Sequence, residues 1–205
     1  MSLIDHDLKD GYQLKCQICG SDQVNEIIDL GSQPLADKLH PIGEKLKESI
    51  SYPLIQAWCK NCGLNQLKYI CPSEVMFGDN YNYKTGVTKE LVEYSAIFAR
   101  NLVEELELKS SDLVCDLGSN DGTLLKGFKS CGVKIYGVEP TDVADLANAD
   151  GIPTLRAPFG VKAAEDIVNK IGNASLATAT NVFAHVQDLG DFLKGLSFLL
   201  KDDGY

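Results

Sequence analysis

The segment Leu113–Leu125, LVCDLGSNDGTLL, constrains this chain more than any other. An apolar run ends in an acid, Asp116, and passes through a glycine turn into apolar residues at helical spacing. It reads as a buried strand, a tight loop permitted by Gly118 and Gly122, and a helix over Thr123–Ser130 with Leu124, Leu125 and Phe128 inward. The alternation then repeats. Lys134–Val138 reads as a second strand, Asp142–Ala149 as a short helix and Ile152–Leu155 as a third strand. Val161–Ile171 follows as a helix with Val161, Ala164, Val168 and Ile171 on one face, then a strand over Ser175–Thr180 and an amphipathic helix over Leu189–Leu200. Strands alternating with helices require a parallel sheet covered on both faces, an α/β fold. The ending, LLKDDGY, reads as helix, turn and the first residue of another strand. A sheet of four strands leaves an apolar edge bare, so the domain is expected to be incomplete at Tyr205.

Upstream the signals weaken. Leu91, Ser95, Phe98, Leu102 and Leu106 recur at helical spacing, which predicts a helix over Lys89–Glu107 with Thr88 as its N-cap and Glu90 in the first turn. FGDNYNYKTG, within residues 76–87, reads as a turn-rich loop carrying tyrosines. Residues 14–72 show short apolar runs, glycine and proline punctuation and no sustained helical period. Such a small irregular segment cannot build a large core and needs a staple. The expected division is 1–72, a metal-stapled domain; 73–110, the tyrosine loop and connecting helix; and 111–205, the α/β domain.

The staple is visible in the cysteines. CQICG and CKNCG each set two thiols three residues apart and end in glycine, so that both sulfurs can face one ion while Gly20 or Gly63 takes the left-handed turn. Four thiolates, Cys16, Cys19, Cys59 and Cys62, close a tetrahedral shell with no open position, which predicts structural Zn2+. A redox Cys-x-x-Cys is the alternative; two copies in a segment poor in core favour zinc. Cys71 reads as a buried thiol or a spare ligand. Cys115 and Cys131 read as buried thiols. An odd total of seven, with a polar N-terminus lacking the apolar core of an export signal, argues against a disulfide framework and places the chain in the cytoplasm. No apolar run reaches the roughly 18 residues of a membrane span. The net charge of −10 repels phosphate backbones, so nucleic acid is not an expected partner.

The loop itself narrows the ligand. A dinucleotide fingerprint has Gly-x-Gly-x-x-Gly, whereas this loop runs Gly118-x-x-x-Gly122 with Asn120 between. A phosphate loop would need Gly-Lys-Ser/Thr, also missing. Glu139 ends the second strand, where a carboxylate can accept both ribose hydroxyls of an adenosine. Asp116, Asn120 and Asp121 suit a ligand with a cationic end, and S-adenosylmethionine joins an adenosine to a sulfonium and an ammonium. Ser119, Gly122 and Pro140 complete the candidate cofactor contacts. TNVFAHV follows the fourth strand, where ligands of open α/β sheets lie, so Asn181 and His185 join the crevice. Tyr81 and Tyr83 are candidates to hydrogen-bond a polar substrate or close over it, or else to pack against the metal-stapled segment. His6 and His40 have no such context and read as surface residues.

DLGSNDG followed by GVEP resembles the first two motifs of the Rossmann-like methyltransferases. Together with the four-cysteine module containing DLGSQPLAD, the Tyr-x-Tyr loop, GVEPT and NVFAHV, the chain is similar to the zinc-containing sugar C-methyltransferases of deoxysugar biosynthesis. The resemblance covers residues 14–204. It implies one zinc on Cys16, Cys19, Cys59 and Cys62, and cofactor contacts at Gly118, Ser119, Asn120, Glu139 and Asn181. It also implies methylation of a nucleotide-linked keto-sugar through an enolate, with Tyr81, Tyr83 and His185 as catalytic candidates from this stretch. Members of that family continue for about as long again into a domain that adds a Glu and His pair to the sugar site. Two alternatives carry weight: a methyltransferase for another small molecule, and a non-catalytic zinc- and nucleoside-binding module. The sugar, the nucleotide, the methylated carbon and the oligomeric state are not readable from the residues.

Overall fold

A computed structural model describes residues 10–36, 42–43, 50–77 and 81–205 of the chain. His6 and His40 lie outside the described residues. In chain order the elements are β1 (Gly11–Tyr12), β2 (Val24–Pro34), β3 (Ser51–Cys59), β4 (Asn65–Leu67), β5 (Tyr69–Ile70), α1 (Ser73–Met76), α2 (Lys89–Glu105), β6 (Leu113–Leu117), α3 (Thr123–Ser130), β7 (Lys134–Val138), α4 (Val143–Ala149), β8 (Thr154–Leu155), α5 (Val161–Ile171), β9 (Leu176–Thr178) and α6 (Leu189–Leu199). They group into two compact units, Met1–Met76 with Gln187–Gly190, and Phe77–Val186 with Asp191–Tyr205.

The first unit is more regular than its sequence. β2 and β3 pair antiparallel from Val24↔Cys59 to Pro34↔Ser51, and β4 adds to β3. In β3, Ile55, Ala57 and Cys59 are buried while Gln56 and Trp58 are exposed, the period of two that a half-buried strand demands. The alternation is hard to read in YPLIQAWC because Leu54 and Trp58 place apolar side chains on the outward face as well. In β2 the pairing register shifts between Glu26 and Ile28 and again between Asp29 and Ser32. Gly31 takes φ +70° there, and its N–H donates to Asp29 Oδ1 at 2.8 Å. Those irregularities break the sequence alternation. β1 pairs with β5 in a separate two-stranded ribbon.

The second unit is a parallel sheet in the order β8-β7-β6-β9, with β6 bonded to β7 and β9 along its length. In sequence terms this is strand three, two, one, four, the order of a Rossmann half-sheet extended across its switch point. All five residues of β6 are buried, as expected for a central strand. Leu113, Cys115 and Leu117 pack with Val138, Ile167, Phe192 and Leu199 on one face. Val114 packs with Leu125, Phe128, Ile152 and Ala99 on the other.

The helix before the sheet differs from expectation in two details. Thr88 occupies the N-cap position of α2 with extended backbone, yet its hydroxyl makes no capping bond. Leu91 is exposed, and the buried face is instead centred on Ser95 and Ala99. Small residues sit there because α3 comes close. A Cβ placed on Gly127 would lie 2.9 Å from Ala99 Cβ and 3.0 Å from the Ser95 carbonyl. At the far edge, the Tyr205 N–H donates to Ser175 O and Tyr205 O accepts from the Ala177 N–H, at 3.0 and 2.8 Å. Tyr205 thus makes two backbone hydrogen bonds beside β9.

Candidate functional site

The metal centre builds from two matching turns. Gly20 N–H donates to Cys16 O and Gly63 N–H to Cys59 O, each at 2.9 Å, with φ +68° and +81° at the glycines. The four Sγ atoms lie within 4.8 Å of one another, Cys16 to Cys62 at 3.5 Å and Cys19 to Cys59 at 3.6 Å. Four thiolates about 2.3 Å from a central zinc stand about 3.8 Å apart, so the cluster fits that ion. The surroundings work on the thiols unequally. Burial pushes Cys16 up to about 12, opposed by the Cys19 and Ile18 N–H groups. The Asn61 amide first, then the Ser21 N–H, bring Cys19 down to about 6. Burial also raises Cys62. A divalent cation among them removes the burial cost by neutralising the sulfurs, and the N–H and amide donors then hold the thiolates in place. Asn61, 3.4 Å from Cys19 Sγ, lies inside CKNCG and was passed over as a spacer in the sequence reading. Cys71 is half-buried and lies outside the cluster.

The second candidate site lies at the carboxyl ends of β6, β7 and β9, which the parallel sheet turns toward the same edge. The β6–α3 loop is pinned from below: the N–H groups of Gly118 and Ser119 both donate to Val138 O, at 2.7 and 3.0 Å. Gly118 takes φ +75°, and a Cβ there would lie 2.5 Å from Val182 Cγ2. The loop after β9 therefore packs on the glycine loop through Val182. Asn181 has φ +57°, His185 ends a short 3-10 turn over Phe183–His185, and both side chains are exposed.

Glu139 is buried, and its carboxylate is well used. Oε1 accepts from the Thr141 N–H at 2.9 Å and the Thr141 hydroxyl at 2.6 Å, while Oε2 accepts from the Asn120 N–H at 3.0 Å. Of about four acceptor positions on a carboxylate, one remains. Asp116 is fully enclosed, its Oδ1 accepting from Thr178 Oγ1 at 2.7 Å. Burial pushes its carboxyl up to about 7, the Thr178 hydroxyl opposes this, and the Glu139 charge adds to it.

Asn120 and Asp121 were read as facing a cationic ligand, and the structure directs their side chains elsewhere. Asn120 Oδ1 accepts from the Thr85 N–H at 2.8 Å, and its Nδ2 donates to Tyr83 O at 3.0 Å. Asp121 Oδ2 accepts from the Gly86 N–H at 2.8 Å. Asp121 Oδ1 accepts from the Thr123 hydroxyl and N–H, at 2.6 and 3.2 Å, so this carboxylate also occupies the first turn of α3. Sequence reasoning missed Thr85, Gly86, Thr141 and Thr178. Thr141, inside GVEPT, and Thr85 and Gly86, inside FGDNYNYKTG, lay in quoted motifs, but only as turn or loop residues.

The tyrosine segment therefore runs over the glycine loop. Tyr83 is exposed; Tyr81 is half-buried against Phe77, with ring centroids 6.1 Å apart, and its N–H donates to Asp142 Oδ1 at 3.3 Å. Beside them lies a cavity of about 310 Å³ lined by Tyr81, Asn82, Lys84, Asp142, Val143 and Leu146. Pro140 follows Glu139 in the turn that leads to α4 and is half-buried.

Residues 91–205 match the methyltransferase domain family, and residues 16–77 match a zinc binding domain. The chain belongs to the methyltransferase family. The four clustered cysteines fit the zinc binding match. The C-methyltransferase NovU of Streptomyces niveus is 31% identical over 191 residues, 93% of this methyltransferase chain and 45% of that protein. The chain thus spans about half the length of the curated relative it matches. Among solved structures, an S-adenosylmethionine-dependent methyltransferase from Clostridium acetobutylicum ATCC 824 is similar with a TM-score of 0.44 at 17% identity, over 55% of this chain and 48% of that one. One from Anabaena variabilis ATCC 29413 gives 0.42 at 19% identity, over 52% and 47%. No helix among the described residues is long and apolar enough to cross a membrane.

Proposed function

We propose that this methyltransferase transfers a methyl group to carbon on a nucleotide-linked keto-deoxysugar, by way of an enolate. One observation carries the choice of donor site: the chain's own carboxylates already occupy the polar groups of the β6–α3 turn. Glu139 takes the Asn120 N–H, and Asp121 takes the N–H of Thr123 at the start of α3. A pyrophosphate placed there would meet two carboxylates, whereas a donor without phosphates meets no such repulsion. Gly118, Ser119, Glu139, Pro140 and Asn181 are the proposed donor contacts, Gly118 by its backbone and Glu139 through its remaining acceptor position. Similarity to a C-methyltransferase supports carbon as the acceptor.

When bound, S-adenosylmethionine supplies an electrophilic methyl group on a sulfonium. The proposed work of the chain is to hold and polarise the acceptor. A carbon next to a ketone becomes nucleophilic when a base removes its proton, and donors near the ketone oxygen stabilise the charge that develops. Tyr81, Tyr83 and His185 are the proposed donors or proton relay. The exposure of Tyr83 and His185 leaves them accessible to a substrate. The cavity beside Tyr81 adds Asn82 and Lys84, a polar lining suited to a charged sugar nucleotide.

The test uses a nucleotide-linked keto-deoxysugar in D2O with S-adenosylhomocysteine in place of the donor. Enolate chemistry predicts deuterium at the carbon next to the ketone without methylation. His185→Ala is expected to slow that exchange and turnover while leaving donor affinity within about threefold. Methylation at oxygen or nitrogen, with no exchange at carbon, would overturn the proposal.

A further inference from the structure

The side chains of Asn120 and Asp121 lie in the donor turn but bind a segment that arrives from before α2. Three contacts join the two: Thr85 N–H to Asn120 Oδ1, Gly86 N–H to Asp121 Oδ2, and Asn120 Nδ2 to Tyr83 O. The Thr85 hydroxyl adds a longer contact to Asn120 Oδ1 at 3.3 Å. The fit leaves no room for change at the centre. A Cβ on Gly86 would stand 2.8 Å from Asp121 Oδ2 and 2.9 Å from Thr123 Oγ1. Asn120 adopts φ +51°, a backbone region costly for most side chains but tolerated by Asn, and this turns its amide toward Tyr83 and Thr85. Its own N–H meanwhile donates to Glu139, the acid expected to take a donor hydroxyl.

We propose that Asn120 and Asp121 are positioning residues: they latch the Tyr81–Gly86 segment onto the donor turn, so that filling the turn fixes the segment carrying Tyr81 and Tyr83. This rests on the donor reading above. The physical basis is a short chain of bonds. A donor hydroxyl on Glu139 bears on the acceptor of the Asn120 N–H, and the Asn120 side chain, one residue's geometry away, holds Tyr83 and Thr85. Ordering the turn lowers the cost of ordering the segment, the sense in which two binding events on one loop become cooperative. The acceptor site is thereby completed only beside a loaded donor turn.

The latch amides report on it directly. Hydrogen exchange at Thr85 and Gly86 is measured in the wild type, Asp121→Asn, Asn120→Asp and Gly86→Ala, each with and without S-adenosylhomocysteine, alongside its affinity by calorimetry. In the wild type the ligand is expected to slow both amides about tenfold. Asp121→Asn and Gly86→Ala are expected to remove that slowing while keeping affinity within about threefold. Combining them should do no more than either alone, because both break the same bond. Gly86→Ala acts from outside the donor turn, so a folding fault in one variant does not decide the outcome. Asn120→Asp keeps the acceptor for Thr85 but sets a carboxylate against Tyr83 O, and should show the same loss. A large fall in affinity for Asp121→Asn with unchanged Gly86 exchange would make Asp121 a donor contact and overturn the latch. Slowing of neither amide in a wild type that binds the ligand would overturn the coupling. A wild type that does not bind the ligand at all would overturn the donor reading and the coupling with it.

Discussion

Asp116→Asn isolates the energetic cost of the acid beneath the donor turn. Asp116 is fully enclosed near the end of β6, and its side chain accepts a hydrogen bond from the Thr178 hydroxyl. Burial, with the Glu139 charge adding to it, moves its carboxyl from 3.8 to about 7. Because the native value is raised, the folded unit binds a proton more tightly than the unfolded chain does. Stability from this group is complete below the unfolded value and is lost as pH rises through the native one. Between the two values the wild type should lose about 1.4 kcal/mol per pH unit, at most about 4 kcal/mol in all. Asn keeps an oxygen for the Thr178 hydroxyl and cannot ionise. Its stability should therefore be level across that window, with Asp116→Asn the more stable form at about pH 8 and its advantage shrinking toward about pH 5. Urea unfolding followed by far-UV circular dichroism at those two pH values measures the difference. Wild type and variant running parallel between them would refute the argument, since it would mean that the enclosed carboxyl has no raised native value.

Other perturbations test the remaining claims. Phe128→Ala empties a side-chain site with no exposure, between α3 and the sheet, and should cost about 3–5 kcal/mol in urea unfolding. Cys59→Ser removes a buried ligand; bound zinc by elemental analysis should fall from one per chain toward none, and hydrogen exchange across Val24–Pro34 should speed up as it does on chelation of the wild type. Gly118→Ala adds a Cβ at φ +75° and 2.5 Å from Val182 Cγ2. It should cost about 1–3 kcal/mol in melting experiments and weaken S-adenosylhomocysteine binding, because the loop after β9 must move off the donor turn.

Much of the second unit was legible because short-range physics sets it. The apolar pattern located β6, α3, β7 and α5 to the residue, although α5 buries Ala163, Ala164 and Ile167 and leaves Ile171, expected inward, exposed. The cysteine spacing foretold the thiol cluster for a similar reason: a knuckle is closed by bonds within five residues, Cys16 to Gly20 and Cys59 to Gly63. The first unit's sheet was less legible. Its strand alternation is blurred by Leu54 and Trp58 on the outward face and broken at Gly31.

Spacing could also not say what the polar side chains of the donor turn would meet. Asn120 and Asp121 look from the sequence like groups awaiting a ligand. Their partners, Thr85 and Gly86, are 35 residues away and belong to a loop with no periodic signal. In the same way the burial of Asp116, its Thr178 partner and the Asn120 N–H on Glu139 come from strands brought side by side. Sequence fixes which groups a turn carries, because local bonds decide its shape. Only the folded chain decides which of those groups are already spent, because their partners arrive through packing between distant segments.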